Sequence, residues 1–313
     1  MKIVFLEPLG IPKQSLEETV NKYVPAGHDI VYYDNRVEDT ETLIERSKDA
    51  DIVVLSNFKY GKDVMEHCPN LKMICVAFTG VDHVDLDYCK EHNIAVCNCS
   101  GYSTVAVADI VFAMAINLVR NILPCDARCR AGETKDGLVG FELAGKTFGI
   151  IGLGAIGQRV AKIANAFGCN VIAYNRSVKN IEGVTQVSME EVLKNSDIVS
   201  LHVPQTKDTI GLIGKEELSL MKPTAMLINT ARGPVVDTDA LAEALKNGTI
   251  AGAGIDVFDV EPPLPLDNPL INAPNTIVTP HIAFASHQAF EKRAHIVGEN
   301  IAKWLEGNPQ NLI

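Results

Sequence analysis

The sequence predicts an α/β protein made of two doubly wound parallel sheets, and three observations lead there. Short apolar runs of strand length alternate with helix-length runs along nearly the whole chain. One of those runs feeds straight into a glycine-punctuated turn and then a helix. The length, 313 residues, suits about two domains with a large core.

The first hundred residues set the rhythm. Strands are expected at Lys2–Leu6, Asp29–Tyr33, Ile52–Leu55, Met73–Ala77 and Ile94–Cys97, with helices near Gln14–Tyr23, Thr40–Lys48 and Lys62–His67. Parallel strands need crossover helices, so this order implies one parallel sheet. Ser103–Arg120 then reads as a helix that is apolar on nearly every face, interrupted mainly by Asp109 and Asn117. Such a helix is buried, either between domains or between subunits, and a homodimer interface is the expectation.

Strands resume at Thr147, Asn170–Tyr174, Ile198–Val203, Ala225–Asn229, Gly254–Val257 and Thr276–Thr279, completing a second sheet. A last helix, about Ser286–Glu306, follows it and has the length to return to the first domain. The expected domains are therefore 1–100 completed by 285–313, for the substrate, and 101–284, for a dinucleotide.

Composition narrows the function classes. A net charge of −11 argues against nucleic acid and anionic membranes, which need concentrated Lys and Arg. No run reaches the roughly 18 apolar residues of a membrane span. The opening Met-Lys-Ile-Val-Phe-Leu is cut by Glu7 and Pro8 and reads as a strand, so a cytoplasmic protein is expected. All 8 cysteines lie between Cys68 and Cys169, but neither Cys97-Asn-Cys99 nor Cys125-x-x-x-Cys129 has paired zinc-ligand spacing. They read as reduced, mostly buried thiols, and no metal is expected.

The chemistry is concentrated in Gly152-Leu-Gly-Ala-Ile-Gly157, between an apolar strand and the helix that continues through Gln158–Phe167. This is the Rossmann-type dinucleotide signature. Gly152 permits the tight turn, Gly154 lets a pyrophosphate approach the backbone, and Gly157 lets helix and strand pack closely. Ala155 and Ile156 open the helix, whose free N–H groups and positive dipole end face the phosphates. About twenty residues on, where Asp or Glu would bind the ribose hydroxyl of NAD, the chain has Asn175-Arg176-Ser177. A neutral Asn beside Arg and Ser admits a 2′-phosphate, so the expectation is a preference for NADPH or acceptance of both NADP and NAD.

Thr79-Gly-Val-Asp-His-Val-Asp85, the glycine stretch, Ser196–Pro204, Leu227-Ile-Asn-Thr-Ala-Arg-Gly233, Asp256-Val-Phe-Asp-Val-Glu-Pro262 and Thr279-Pro-His-Ile-Ala283 together resemble the D-isomer-specific 2-hydroxyacid dehydrogenases over nearly the whole chain. Gly101-Tyr-Ser-Thr104 and His281–Ser286 are most similar to the glycerate dehydrogenase or hydroxypyruvate reductase branch, with Phe284 where that branch usually has Trp. The resemblance implies two Rossmann-like domains with the active site in the cleft between them.

It also implies a catalytic trio. Reducing a 2-keto acid needs a cation on the carboxylate and ketone, a proton donor for the alkoxide, and a hydride. Arg232 fits the first role through its planar fork, His281 the second, and Glu261 orients His281. Backbone N–H groups at Thr79 and Gly80 would take the substrate carboxylate. Asn57 and Phe58 either face the substrate's variable group or pack the loop. Asp256 is assigned to the nicotinamide amide, and His202, Val203, Pro204, Thr206 and Thr230 line the cofactor.

The function so implied is NAD(P)H-dependent reduction of a small 2-keto acid such as hydroxypyruvate or glyoxylate. A bulkier branched or aromatic keto acid is the alternative among enzymes, and Glu261 disfavours formate chemistry, where Gln is expected. A cofactor-sensing, corepressor-like binding protein is the alternative of another class.

Overall fold

The computed structural model describes residues 1–260 and 263–313. These fall into two compact units, unit 1 comprising Met1–Ser103 with Ala285–Ile313, and unit 2 comprising Thr104–Phe284. The two parallel-sheet α/β domains expected from the sequence are present.

Unit 1 runs β1 (Lys2–Phe5), α1 (Lys13–Val20), β2 (Asp29–Tyr32), α2 (Thr40–Ser47), β3 (Ile52–Leu55), α3 (Lys62–Met65), β4 (Met73–Val76), α4 (Leu86–Glu91) and β5 (Ala95–Cys97). Its five strands are parallel in the order β2-β1-β3-β4-β5. β3 and β4 are buried at every position, as expected of central strands covered on both faces.

Unit 2 begins with α5 (Thr104–Arg120) and α6 (Ile122–Arg130), then β6 (Thr147–Ile151), α7 (Ala155–Ala166), β7 (Asn170–Tyr174), β8 (Thr185–Gln186) and α8 (Met189–Asn195). It continues with β9 (Ile198–Leu201), α9 (Lys215–Leu220), β10 (Met226–Asn229), α10 (Thr238–Lys246), β11 (Gly252–Ile255) and β12 (Thr276–Val278). The seven strands are ordered β12-β11-β10-β9-β6-β7-β8, the doubly wound dinucleotide arrangement with its reversal between β6 and β9.

Alternation along the strands divides this core into two layers. Phe148, Ile150 and Ile228 pack beneath α5 and α7, while Ile151, Leu227 and Ile255 join Val192, Leu218 and Leu241 from α8, α9 and α10. The apolar α5 is thus buried largely on its own sheet, against α7, β10 and β11.

The last helix, α11 (His287–Leu305), lies in unit 1 and packs on α1 and β4. Ser286 caps it by accepting from the Ala289 N–H at 3.1 Å. Its buried Arg293 donates to the carbonyls of Leu9 at 2.6 Å and Ala77 at 3.2 Å, and its guanidinium lies 4.8 Å from the Phe290 ring centroid. Through Nη1 and Nη2 this guanidinium ties α11 to the loops after β1 and β4.

The sequence reading placed one strand at Gly254–Val257, whereas β11 starts two residues earlier. Glycine lacks the side chain that marks a strand, yet it is required here. A Cβ on Gly254 would meet the Met114 sulfur at 2.9 Å, and one on Gly252 would meet the Asn275 carbonyl at 2.8 Å. Helix α6 and the two-residue edge strand β8 have no clear sequence periodicity and were not anticipated. No single described helix is long and apolar enough to cross a membrane; α5 and α6 pass that test only together, bent by 61°.

Candidate functional site

The glycine turn follows β6, at the point where the strand order of unit 2 reverses. Gly152 has φ +101°, and a Cβ there would stand 2.5 Å from the His202 carbonyl, so only glycine serves. Gly157 packs so closely that a Cβ would meet the Gly152 carbonyl at 2.0 Å. Gly154 differs: nothing lies within 4 Å of where its Cβ would be. It is also the N-cap of α7, with no side-chain cap of its own. Open space beside uncapped helix N–H groups is what a pyrophosphate requires, with Ala155 and Ile156 beginning the helix.

Asn175, just past β7, is tied to that turn. Its Oδ1 accepts from the Leu153 N–H at 3.0 Å, and its Nδ2 donates to the Ser177 carbonyl at 2.9 Å and Oγ at 3.1 Å. Aspartate could make the first bond and accept from the Ser177 hydroxyl, but it could not donate to the Ser177 carbonyl, which explains an amide here. Arg176 is exposed.

Lys179, which the sequence reading passed over, donates to the Leu153 carbonyl at 2.9 Å. Gln186 of β8 donates to the carbonyls of Asn175 and Ser177, each at 3.0 Å. A basic residue five positions past the end of β7 is the available signal for Lys179. Gln186 offered none, because β8 itself was not foreseen.

The residues after β9 and β10 end on the same edge of the sheet. His202 lies 2.9 Å, through Nε2, from Ser200 Oγ, and burial pushes its imidazole down to about 3. Val203 and Pro204 follow, and Thr206 sits in a turn whose Thr209 hydroxyl donates to the Pro204 carbonyl at 2.6 Å. Thr230 is 8% exposed, and its hydroxyl is buried with no hydrogen-bond partner within the chain. An orphaned buried hydroxyl at the end of a dinucleotide sheet points to a ligand. With the open space at Gly154, it makes these residues fit a nicotinamide dinucleotide.

Arg232 ends the turn after β10. Buried Asn229 clamps it, accepting from Ala231 N–H at 3.0 Å and donating to the Arg232 carbonyl at 2.9 Å. The guanidinium is partly buried and donates through Nη1 to the Ala231 carbonyl at 2.8 Å.

His281 follows β12 with φ 54°, the left-handed region. The other described non-glycine residues at positive φ are all Asn, the type that tolerates it best. Its N–H is held by the Asp256 carbonyl at 2.8 Å and the Thr279 carbonyl at 3.0 Å, and its ring meets Phe284 edge-on at 5.4 Å.

Asp256 has no exposed surface. Its Oδ1 accepts from Thr279 Oγ1 at 2.6 Å and Ile282 N–H at 2.8 Å, and its Oδ2 from Ala283 N–H at 2.8 Å. Burial holds its carboxyl above the ordinary range in spite of these donors and the nearby His281. Glu261, assigned to orient His281, lies outside the described residues.

In unit 1, Thr79 and Gly80 follow β4. Asn98 donates to the Thr79 carbonyl at 2.7 Å, which turns the N–H of Gly80, on the other side of that trans peptide, the opposite way. Asn98 carries no sequence signal of its own, standing between two thiols in Cys97-Asn-Cys99. Asn57 is partly buried after β3, and the adjoining Phe58 is 2% exposed.

Comparison with known proteins agrees with the motifs. The family model for the D-isomer specific 2-hydroxyacid dehydrogenase NAD binding domain matches residues 112–283. A glyoxylate reductase of Thermococcus litoralis is 42% identical over 285 residues, covering 87% of this chain and 86% of its own. A glycerate dehydrogenase of Methylorubrum extorquens is 38% identical, covering 100% of this chain and 98% of its own. Among solved structures, an acyclic imino acid reductase in complex with NADPH and D-Arg superposes with TM-score 0.91 at 38% identity, each chain covered over 100%.

Proposed function

We propose that this chain, which belongs to the D-isomer specific 2-hydroxyacid dehydrogenase family, is a cytoplasmic homodimer that uses NADPH in preference to NADH to reduce a small 2-keto acid such as hydroxypyruvate or glyoxylate. Unit 2 holds the cofactor and unit 1 the substrate. The observation that carries the catalytic reading is His281, a titratable side chain on a left-handed backbone held by buried Asp256 after the last strand. Strained backbone of this kind persists only where the surroundings enforce it, and it clusters at functional sites.

A nicotinamide dinucleotide, when bound, would supply the hydride. Arg232 binds the substrate carboxylate and draws charge from the ketone oxygen. The His281 imidazole, protonated, gives its proton to that oxygen as the carbon is reduced. Glu261 is the residue assigned to orient the imidazole. The Gly80 N–H, directed by Asn98, adds a donor for the carboxylate. Asn175, Arg176, Ser177 and Lys179 receive the 2′-phosphate, while Thr230, His202, Val203, Pro204 and Thr206 border the rest of the cofactor.

Asp256 reads both as a nicotinamide contact through the free capacity of Oδ2 and as the holder of the His281 loop. The dimer reading draws on Val105, Ile122, Leu123 and Val139, apolar side chains 46–81% exposed on and beyond α5 and α6.

The test is loss of NADPH or NADH absorbance with hydroxypyruvate, glyoxylate, pyruvate, 2-ketoisocaproate and phenylpyruvate. Rapid NADPH oxidation with the first two is the expected result. Preference for the bulky acids overturns the substrate class, preference for NADH overturns the cofactor, and binding without turnover returns the corepressor-like alternative. The imino acid reductase likeness favours one second reading: oxidation that requires an amine together with the keto acid.

A further inference from the structure

The five-stranded sheet of unit 1 reverses its strand order between β1 and β3. In open sheets of this order the crevice outside the carboxyl ends of those two strands is where a ligand binds. Glu7 leaves β1 at that crevice and Asn57 leaves β3, while Arg36 follows β2. The three are joined. Arg36 Nη1 donates to Asn57 Oδ1 at 2.7 Å and to Glu7 Oε2 at 3.2 Å, and its Nε donates to Glu38 Oε1 at 2.7 Å. Glu7 is only 4% exposed, and its other oxygen accepts from the Ser56 N–H at 2.7 Å. The guanidinium also lies 5.4 Å from the centroid of the buried Phe58 ring.

Two consequences follow from donor chemistry alone. A guanidinium has five donors and no acceptor, so the Asn57 amide must meet it with oxygen. Its two N–H donors then point away from Arg36, from a partly exposed side chain at the switch point. The Arg36 charge, for its part, is already met by Glu7 and Glu38, within 3.2 Å and 2.7 Å. It is not left over for a phosphate or carboxylate on the substrate. What this corner offers is a neutral donor pair, which suits a hydroxyl or carbonyl oxygen.

We infer that Arg36 is a positioning residue that locks the Asn57 amide so that Nδ2 donates to an uncharged oxygen on the third carbon of the substrate, making an unphosphorylated 3-hydroxy-2-keto acid the class this chain selects. The inference rests on the keto-acid reading above, with unit 1 holding the part of the substrate beyond the ketone. It names a specificity device within that reading and leaves hydride and proton transfer to other groups.

The experiment compares kcat/KM for hydroxypyruvate, for pyruvate, which lacks only that hydroxyl, and for the 3-phosphorylated analogue of hydroxypyruvate. The proteins are the wild type, Asn57→Leu, Arg36→Met and Arg36→Lys. Wild type is expected to favour hydroxypyruvate over pyruvate by about tenfold or more, because a site built to bond a hydroxyl rejects the analogue without it. It should favour hydroxypyruvate over the phosphorylated acid as well. Asn57→Leu should lower the hydroxypyruvate-to-pyruvate ratio about tenfold. Arg36→Met should lower it in the same direction, with Arg36→Lys restoring part of it.

A ratio unmoved in Asn57→Leu, or a preference for the phosphorylated acid, overturns the inference while the keto-acid reading stands. Wild-type protein that reduces none of the acids removes both. Arg36→Met leaves buried Glu7 without its cation and can fail to fold, so Asn57→Leu, at a partly exposed position, carries the test in that event.

Discussion

Asp256 holds His281 through the main chain and shapes its loop through the side chain: the Asp256 carbonyl accepts the His281 N–H at 2.8 Å, while the Asp256 carboxylate accepts from Thr279, Ile282 and Ala283 on either side. The left-handed backbone of His281 is thereby imposed from a neighbouring strand end. Asp256→Asn replaces one of those acceptor oxygens with a donor and leaves a buried N–H or hydroxyl facing it. About 2 kcal/mol of stability should be lost, as for a buried hydrogen bond to a charged group. Turnover should fall about tenfold or more as His281 shifts. Denaturant unfolding and steady-state rates check both, and an unchanged kcat would mean that the loop does not depend on this carboxylate.

His281→Ala and Arg232→Ala are each expected to reduce kcat/KM by about a hundredfold or more, the ordinary scale of a lost proton donor or charge clamp. Their melting temperatures should stay near wild type, since both side chains are only partly buried. Near-normal rates in either variant would remove that residue from the proposed trio.

The cofactor preference should turn on Asn175. Asn175→Asp keeps the bond from Leu153 N–H, loses the two donations to Ser177 and sets a negative charge where the 2′-phosphate is proposed to bind. The ratio of kcat/KM for NADPH to that for NADH should drop about tenfold or more. A ratio that does not move would place the phosphate elsewhere.

His202 gives the fold a dependence on acid. Its folded-state value of about 3 lies below the ordinary 6.5, so below pH 6.5 the unfolded chain binds a proton that the folded chain refuses. Stability from this group is complete above pH 6.5 and declines as pH falls toward 3, by at most about 1.4 kcal/mol per pH unit. Melting temperatures measured from pH 7 to 4.5 should fall less steeply in His202→Asn. Parallel profiles for the two proteins would show that burial of His202 has no such effect.

The parallel-strand rhythm, the glycine turn and the run of family motifs were legible because each is local. A strand followed by Gly152-x-Gly154-x-x-Gly157 specifies a turn and a helix start within a dozen residues. Where the reading slipped, the cause was long range. β11 is a strand because Gly252 and Gly254 let Asn275 and Met114 come close, and β8 forms only because β7 offers an edge to pair with.

Motif order along the chain, then, was enough to establish the chemistry available: a dinucleotide turn, an arginine after one strand and a histidine after another. Tertiary structure decided how those groups are held. Asp256 acting as the scaffold of the His281 loop, Lys179 reaching the Leu153 carbonyl of the glycine turn, Asn98 turning the Thr79–Gly80 peptide and Arg36 fixing the Asn57 amide all join residues well separated in sequence. Periodicity and propensity describe only neighbours along the chain, whereas a buried hydrogen bond is chosen by which atoms the packed sheets bring within 3 Å or so of one another.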